Sequence, residues 1–203
     1  MEKALIKKSD EKRKLILTKA TQVFKRKGFS AVTMKDIIEE CQISRGGLYL
    51  YFSSVDDIFM QVILINNEEK LKNAKDEILE NKSFKQLIDD YFNKHKNRLL
   101  NMEHSLLKAM HEYRFSHRNE KDKELYYNQL LNTKEIILEL LKYGVEKGEI
   151  TNKNLEDLAM NIMFFIEGIR TNAIALNLSE EIIDSQINFA KSVILNHKES
   201  YKP

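Results

Sequence analysis

Residues 33–52 read TMKDIIEECQISRGGLYLYF. Thr33 followed three positions later by Asp36 is a capping box with Asp in place of the usual Glu. It starts a short helix whose Ile37 and Ile38 face inward and which ends near Cys41. Ser44 can cap a second helix, from Arg45 to about Phe52, with Leu48 and Leu50 facing in. Two short helices joined by Cys41-Gln42-Ile43 have helix-turn-helix spacing. Gly46-Gly47 costs the second helix about 1 kcal/mol per Gly relative to Ala, and in return its backbone can approach a surface closely. Arg45 can donate two hydrogen bonds to guanine O6 and N7. Tyr49 and Tyr51 can reach phosphate oxygens or thymine methyls, and amides following Thr33 and Ser44 can meet phosphates. The competing reading is an ordinary αα-corner with exposed tyrosines.

Outward from this stretch the chain punctuates as helix throughout. A first helix is expected from Ser9-Asp10-Glu11, through Ile16, Leu17, Ala20, Val23 and Phe24, to the stop at Lys27-Gly28. Ser54-Val55-Asp56-Asp57 opens a fourth, running to about residue 79. Ser83 caps a fifth to about residue 100, and a sixth spans about 103–116. A seventh reaches Lys147 before Gly148, an eighth runs from Asn154 to about residue 176, and a ninth from Ser179 to about His197. With six Gly, one Pro at position 203 and no long period-two alternation, the fold class is all-α with about nine helices.

The formal net charge of +2 conceals a division. Residues 1–52 hold 12 Lys+Arg against 6 Asp+Glu, and the remainder holds 21 against 25. A basic head on an acidic body suits a head that meets polyanions. One Cys excludes an internal disulfide and makes a reducing compartment the default. MEKALIKKSDEKRK lacks the apolar core of a secretory signal, and no run of about 18 apolar residues exists, so a cytoplasmic chain with no membrane partner is expected. The five histidines sit in no HExxH, CxxC or carboxylate–His pattern. No Ser/His/Asp set or phosphate-cradling Gly loop is visible, so the expectation is no enzyme, no metal and no cofactor. Cys41 reads as a buried structural thiol rather than a redox sensor.

The first sixty positions resemble the DNA-binding domain of TetR-type transcriptional repressors. The resemblance rests on Ile16, Ala20, Phe24, Gly28-Phe29, Thr33, Lys35-Asp36-Ile37, Ile43-Ser44-Arg45-Gly46-Gly47-Leu48-Tyr49-Leu50-Tyr51-Phe52 and Asp56-Asp57. SRGGLYLYFSS is also similar to the subgroup around the YfiR regulator. The resemblance implies a three-helix reading domain at 1–54 and an effector-binding and dimerisation domain at 55–203. Implied partners are a double-stranded, palindromic operator, a second copy of the chain, and a small-molecule effector that releases it from DNA. The DNA-contacting set is Thr33, Lys35, Ser44, Arg45, Gly46, Gly47, Tyr49 and Tyr51, with Lys7, Lys8, Lys12 and Arg13 as added charge. Two departures stand out: Gln42 replaces the family's usual turn Gly, and Val55 replaces a usual phosphate-touching Lys.

For the body, the resemblance implies a four-helix bundle formed by the eighth and ninth helices with their twins. Phe165, Ile169, Ala173, Ile187, Ala190 and Ile194 are its candidate residues, although a monomeric core would use similar stripes. Phe92, Met110, Tyr113, Met163, Phe164 and Glu167 are candidates for an effector pocket, with plain core packing as the alternative. A carboxylate there, Glu167 or Glu112, would favour a cationic ligand. The reading from another class is a helical ligand-binding or scaffold dimer that no longer reads DNA, for which Gln42 and Val55 speak.

Overall fold

A computed structural model describes residues 2–151 and 153–196, the side chains of residues 2–7 and 103 excepted. His197 and the side chain of Lys7 therefore lie outside the described residues. The elements are α1 (Glu2–Lys27), α2 (Met34–Cys41), α3 (Arg45–Tyr49), α4 (Val55–Leu79), α5 (Phe84–Leu100), a 3₁₀ turn (Met102–His104), α6 (Leu107–Ser116), α7 (Glu120–Glu146), α8 (Leu155–Leu176) and α9 (Glu180–Leu195). Among the described residues there is no strand.

Three boundaries differ from the sequence expectation, each for a local reason. α1 begins at Glu2 rather than at Ser9, because Ala4, Leu5 and the lysines before Ser9 are good helix formers with no breaker among them. α3 stops at Tyr49; Leu50 is 83% exposed instead of inward, because two positions beyond buried Leu48 lie on the opposite face of a helical turn. The sixth helix is divided at Ser105, whose hydroxyl donates to the Met102 carbonyl at 3.1 Å and accepts from the Leu107 amide at 3.3 Å.

The chain forms two compact units. The first comprises Met1–Asn66 and Met102–Asp122, the second Asn67–Asn101 and Lys123–Pro203. α6, far along the chain from the helix-turn-helix, thus packs in the same unit as α1. The core of that unit is aromatic: Phe24 meets Phe59 edge-on at 4.6 Å between ring centroids, and Phe29 meets Tyr113 at 4.9 Å. The Tyr113 hydroxyl donates to Asp122 at 2.7 Å, and His117 stacks on the Tyr113 ring.

In the second unit α9 lies against α5 and α8. Phe84, Leu87, Ile88 and Phe92 of α5 are buried with Leu140 and Leu141 of α7, Ile162 and Ile166 of α8, and Ile183 and Ile187 of α9. Gly144 lets α7 approach the Phe84 ring; a Cβ there would lie 2.8 Å from ring carbons.

Candidate nucleic-acid interface

Thr33 caps α2 reciprocally: its hydroxyl oxygen accepts from the Asp36 amide at 3.3 Å, while Asp36 accepts from the Thr33 amide and hydroxyl, each at 2.9 Å. Asp36 also binds Lys27 at 2.6 Å, and these contacts, Lys27 first, lower its pKa to about 2. Arg26 of α1 meets Glu40 of α2 at 2.5 Å. Two of the head's acids are thereby occupied along the α1–α2 seam.

The turn is a Schellman motif. The Gln42 amide reaches back to Glu39 and the Ile43 amide to Ile38, at 3.2 and 3.3 Å. Gln42 takes φ +53, ψ +44, the left-handed conformation that usually favours Gly. The helix end is fully formed with Gln in place, so this departure is a local cost and not a broken turn. Cys41 at its edge is half-buried rather than buried, and its thiol pKa is raised, by partial burial first and then by Glu40.

α3 presents a distinct outer face. The Ser44 hydroxyl is committed to capping, accepting from the Gly47 amide at 3.1 Å. Leu48 anchors the helix in the core. Arg45 is exposed and its guanidinium carbon lies 5.5 Å above the centre of the Tyr49 ring. A Cβ on Gly46 would meet nothing within 4 Å, so the backbone there is open to an approaching surface. Gly47 lies closer to Ser44 and to Lys12 of α1. Tyr51 is half-buried, and Lys35 is 82% exposed beside Glu39.

Lys8 and Lys12, one turn apart, are exposed on α1. Arg13 lies over the buried Phe52 ring at 5.3 Å, which fixes it to the reading unit. The arrangement gathers a guanidinium, a phenol and an open backbone on a short exposed helix, with lysines nearby. These groups match base edges and phosphates. Sequence reasoning missed Leu50, an exposed apolar side chain on this surface that suits a thymine methyl. α4 opens with the Asp57 amide donating to Ser54, while the Asp57 carboxylate accepts from the Ser53 amide rather than from that of Ser54. Val55, half-buried, supplies no charge at this start.

The remaining candidates scatter. Met110 and Tyr113 belong to the first unit, where Tyr113 is core. Phe92 and Met163 are buried in the second, with Phe92 edging a small apolar crevice shared with Ile169 and Ile187. Phe164 is 60% exposed and Glu167 is ion-paired with Arg170. Glu112 is structural: its carboxylate accepts from the amides of Phe29 and Ser30. Ala173, Ile187, Ala190 and Ile194 are buried inside their own chain, and Phe165 and Ile169 are half-buried. α9 carries two apolar stripes, and Ile183, Ile187, Ala190 and Ile194 form the inner one. The outer stripe of Ile182, Phe189 and Val193 stays exposed, as do Met160 and Phe164 of α8. Periodicity locates both stripes but does not say which one turns inward. Among the described residues no cluster of three or more His, Cys, Asp or Glu could hold a metal, and no helix is long and apolar enough to cross a membrane.

The chain is similar in sequence and in fold to known proteins. The family model described as bacterial regulatory proteins, tetR family, matches residues 16–62, and the tetracyclin repressor-like C-terminal domain model matches residues 87–184. The chain is 34% identical over 169 residues, 81% of either protein, to the uncharacterized HTH-type transcriptional regulator YfiR of Bacillus subtilis. It is 35% identical over 63 residues to UidR of Escherichia coli, covering 31% of this chain and 32% of UidR. In fold it is similar to a TetR family regulator of Cytophaga hutchinsonii, with TM-score 0.75, 15% identity and coverage of 95% and 98%. It is also similar to Salmonella enterica GusR, with TM-score 0.68, 20% identity and coverage of 92% and 95%.

Proposed function

Because this chain belongs to the tetR family of DNA-binding transcriptional regulators, we propose that it is a cytoplasmic repressor, released from a palindromic operator by a small molecule. The observation that carries this reading is the exposed Arg45–Tyr49 pair on α3, beside open backbone at Gly46. Arg45 is the base-reading group, Lys35 and Lys12 are phosphate contacts, and Thr33 and Ser44 hold the helices that present them. As a homodimer the protein would offer two such helices about 34–36 Å or a small multiple apart. The exposed apolar residues Phe164, Ile182, Phe189 and Val193 support a dimer face on the outer side of α8 and α9.

The second unit is the effector-binding body. α4 contributes residues 55–66 to the first unit and 67–79 to the second, so a ligand that biases its position would shift the population of DNA-competent dimers. Regulation, and no catalysis, is the activity proposed.

Val55 favours a second reading, a ligand-binding dimer that has lost DNA binding, since one phosphate contact implied by the family is missing. Gel-shift titration against DNA flanking the protein's own coding region separates the two. The repressor reading expects binding to a palindrome at low salt; the second reading expects none.

A further inference from the structure

A cavity of about 250 Å³ lies inside the second unit, between α4, α5, α7 and α8. Its charged lining is mostly basic. Lys70 from α4, Arg98 from α5 and Arg170 from α8 all border it, with Lys94 and a single carboxylate, Glu77. That carboxylate is already ion-paired with Lys94, and the lining holds more basic than acidic side chains.

Arg170 donates to Nδ1 of His95 at 3.0 Å and is paired with Glu167 outside the lining. His95 is held neutral: burial and then Arg170, Arg98 and Lys70 push its pKa well below the usual range. Lys70 is lowered to about 7, by burial first and then by Arg170 and Arg98. Two buried donors belong to lining residues and have no acceptor among the described residues, the Tyr91 hydroxyl and the Arg170 Nε–H. Burying the Lys70 ammonium is unfavourable, and an anion beside it would offset that cost. Ala74 and Ile136 give the same cavity an apolar side.

We propose that this cavity binds a small organic anion, a carboxylate or a phosphate monoester, with Lys70, Arg98 and Arg170 as counter-charges and Tyr91 as a hydrogen-bond donor. The organic part lies toward Ala74 and Ile136. This rests on reading the second unit as the effector-binding body, and it inverts the ligand charge expected from Glu167, which shares Arg170 with the site. The volume lies below the range typical of drug-sized ligands, so the anion is small. The signal was present in sequence as Lys70, Asn73, Ala74 and Glu77 on one helical face and Tyr91, His95 and Arg98 on another.

Calorimetric titration of the full chain with benzoate, phenyl phosphate, benzamide and benzylammonium tests this. One or both anions should bind, and the tighter one assigns carboxylate or phosphate. Benzamide and benzylammonium should bind at least about tenfold more weakly. Lys70→Met and Tyr91→Phe should each weaken the anion about tenfold or more, while Lys85→Met, on the exposed side of α5, should not. Benzamide binding as well as benzoate, unchanged affinity in both Lys70→Met and Tyr91→Phe, or no anion binding at about 10 mM overturns the site. An anion that binds while operator affinity stays constant supports the site and overturns its effector role. Operator protection without anion binding overturns the site and leaves the DNA-binding reading intact.

Discussion

Glu112 on α6 accepts hydrogen bonds from the main-chain amide of Phe29, 83 residues earlier, at 2.7 Å and from that of Ser30 at 2.8 Å. Gly28, just before, has φ +78, and a Cβ there would lie 2.7 Å from the Glu112 carboxylate. The end of α1 and the body of α6 are thus fitted to one another within the reading unit. Glu112→Ala strands two amides and should destabilise the protein by about 1–3 kcal/mol in urea denaturation. Gly28→Ala should cost at least about 1 kcal/mol, from both φ and contact.

Gln42 offers the opposite case. Its left-handed backbone carries a cost that Gly lacks, so Gln42→Gly should stabilise the protein by about 0.5–1 kcal/mol. Thermal unfolding would show it, and operator affinity should be unchanged because the motif's geometry is already complete.

Arg45 and Lys35 should separate in DNA binding. Arg45→Ala should cost about 1–3 kcal/mol on the operator and relax specificity at one base pair. Lys35→Ala should weaken operator and random DNA alike and flatten the salt dependence. Filter binding across a salt series reads both; uniform weakening by Arg45→Ala would make Arg45 a phosphate contact instead.

The outer stripe of α8 and α9 should hold the dimer. Phe189→Asp or Phe164→Asp leaves the inner packing of Ile187, Ala190 and Ile194 untouched and should shift sedimentation toward monomer. Ala substitution at Ile187 should instead lower stability by about 2–5 kcal/mol.

Lys70 gives a pH signature. Its pKa is about 7 in the folded chain against the ordinary lysine value of 10.5, so between those values the unfolded chain binds more protons. Its contribution to stability therefore rises with pH from about 7 to 10.5, and Lys70→Met should remove that slope. Facing it are His95, Arg98 and Tyr91 of α5 and Arg170 with Glu167 of α8. A bound anion favours protonated Lys70, so anion affinity should fall as pH rises through about 7.

The head was legible because its information is local. Capping at Thr33 and Ser44, the Gly28 stop and the turn at Gln42 are each decided within a few residues. The body was legible in helix number and length, but the partners of its helix faces were not. Which stripe of α9 turns inward depends on α5 and α8, and the cationic cavity depends on Lys70, Arg98 and Arg170 meeting across 100 residues of chain. Helical periodicity places a side chain on a face; only packing decides what that face meets.

Footprinting on the DNA flanking the protein's coding region tests the central claim most directly. At low salt the expected result is protection of a palindrome with half-sites one helical turn or a small multiple apart, lost in Arg45→Ala. Uniform, sequence-independent coating, or no protection at all, would contradict it.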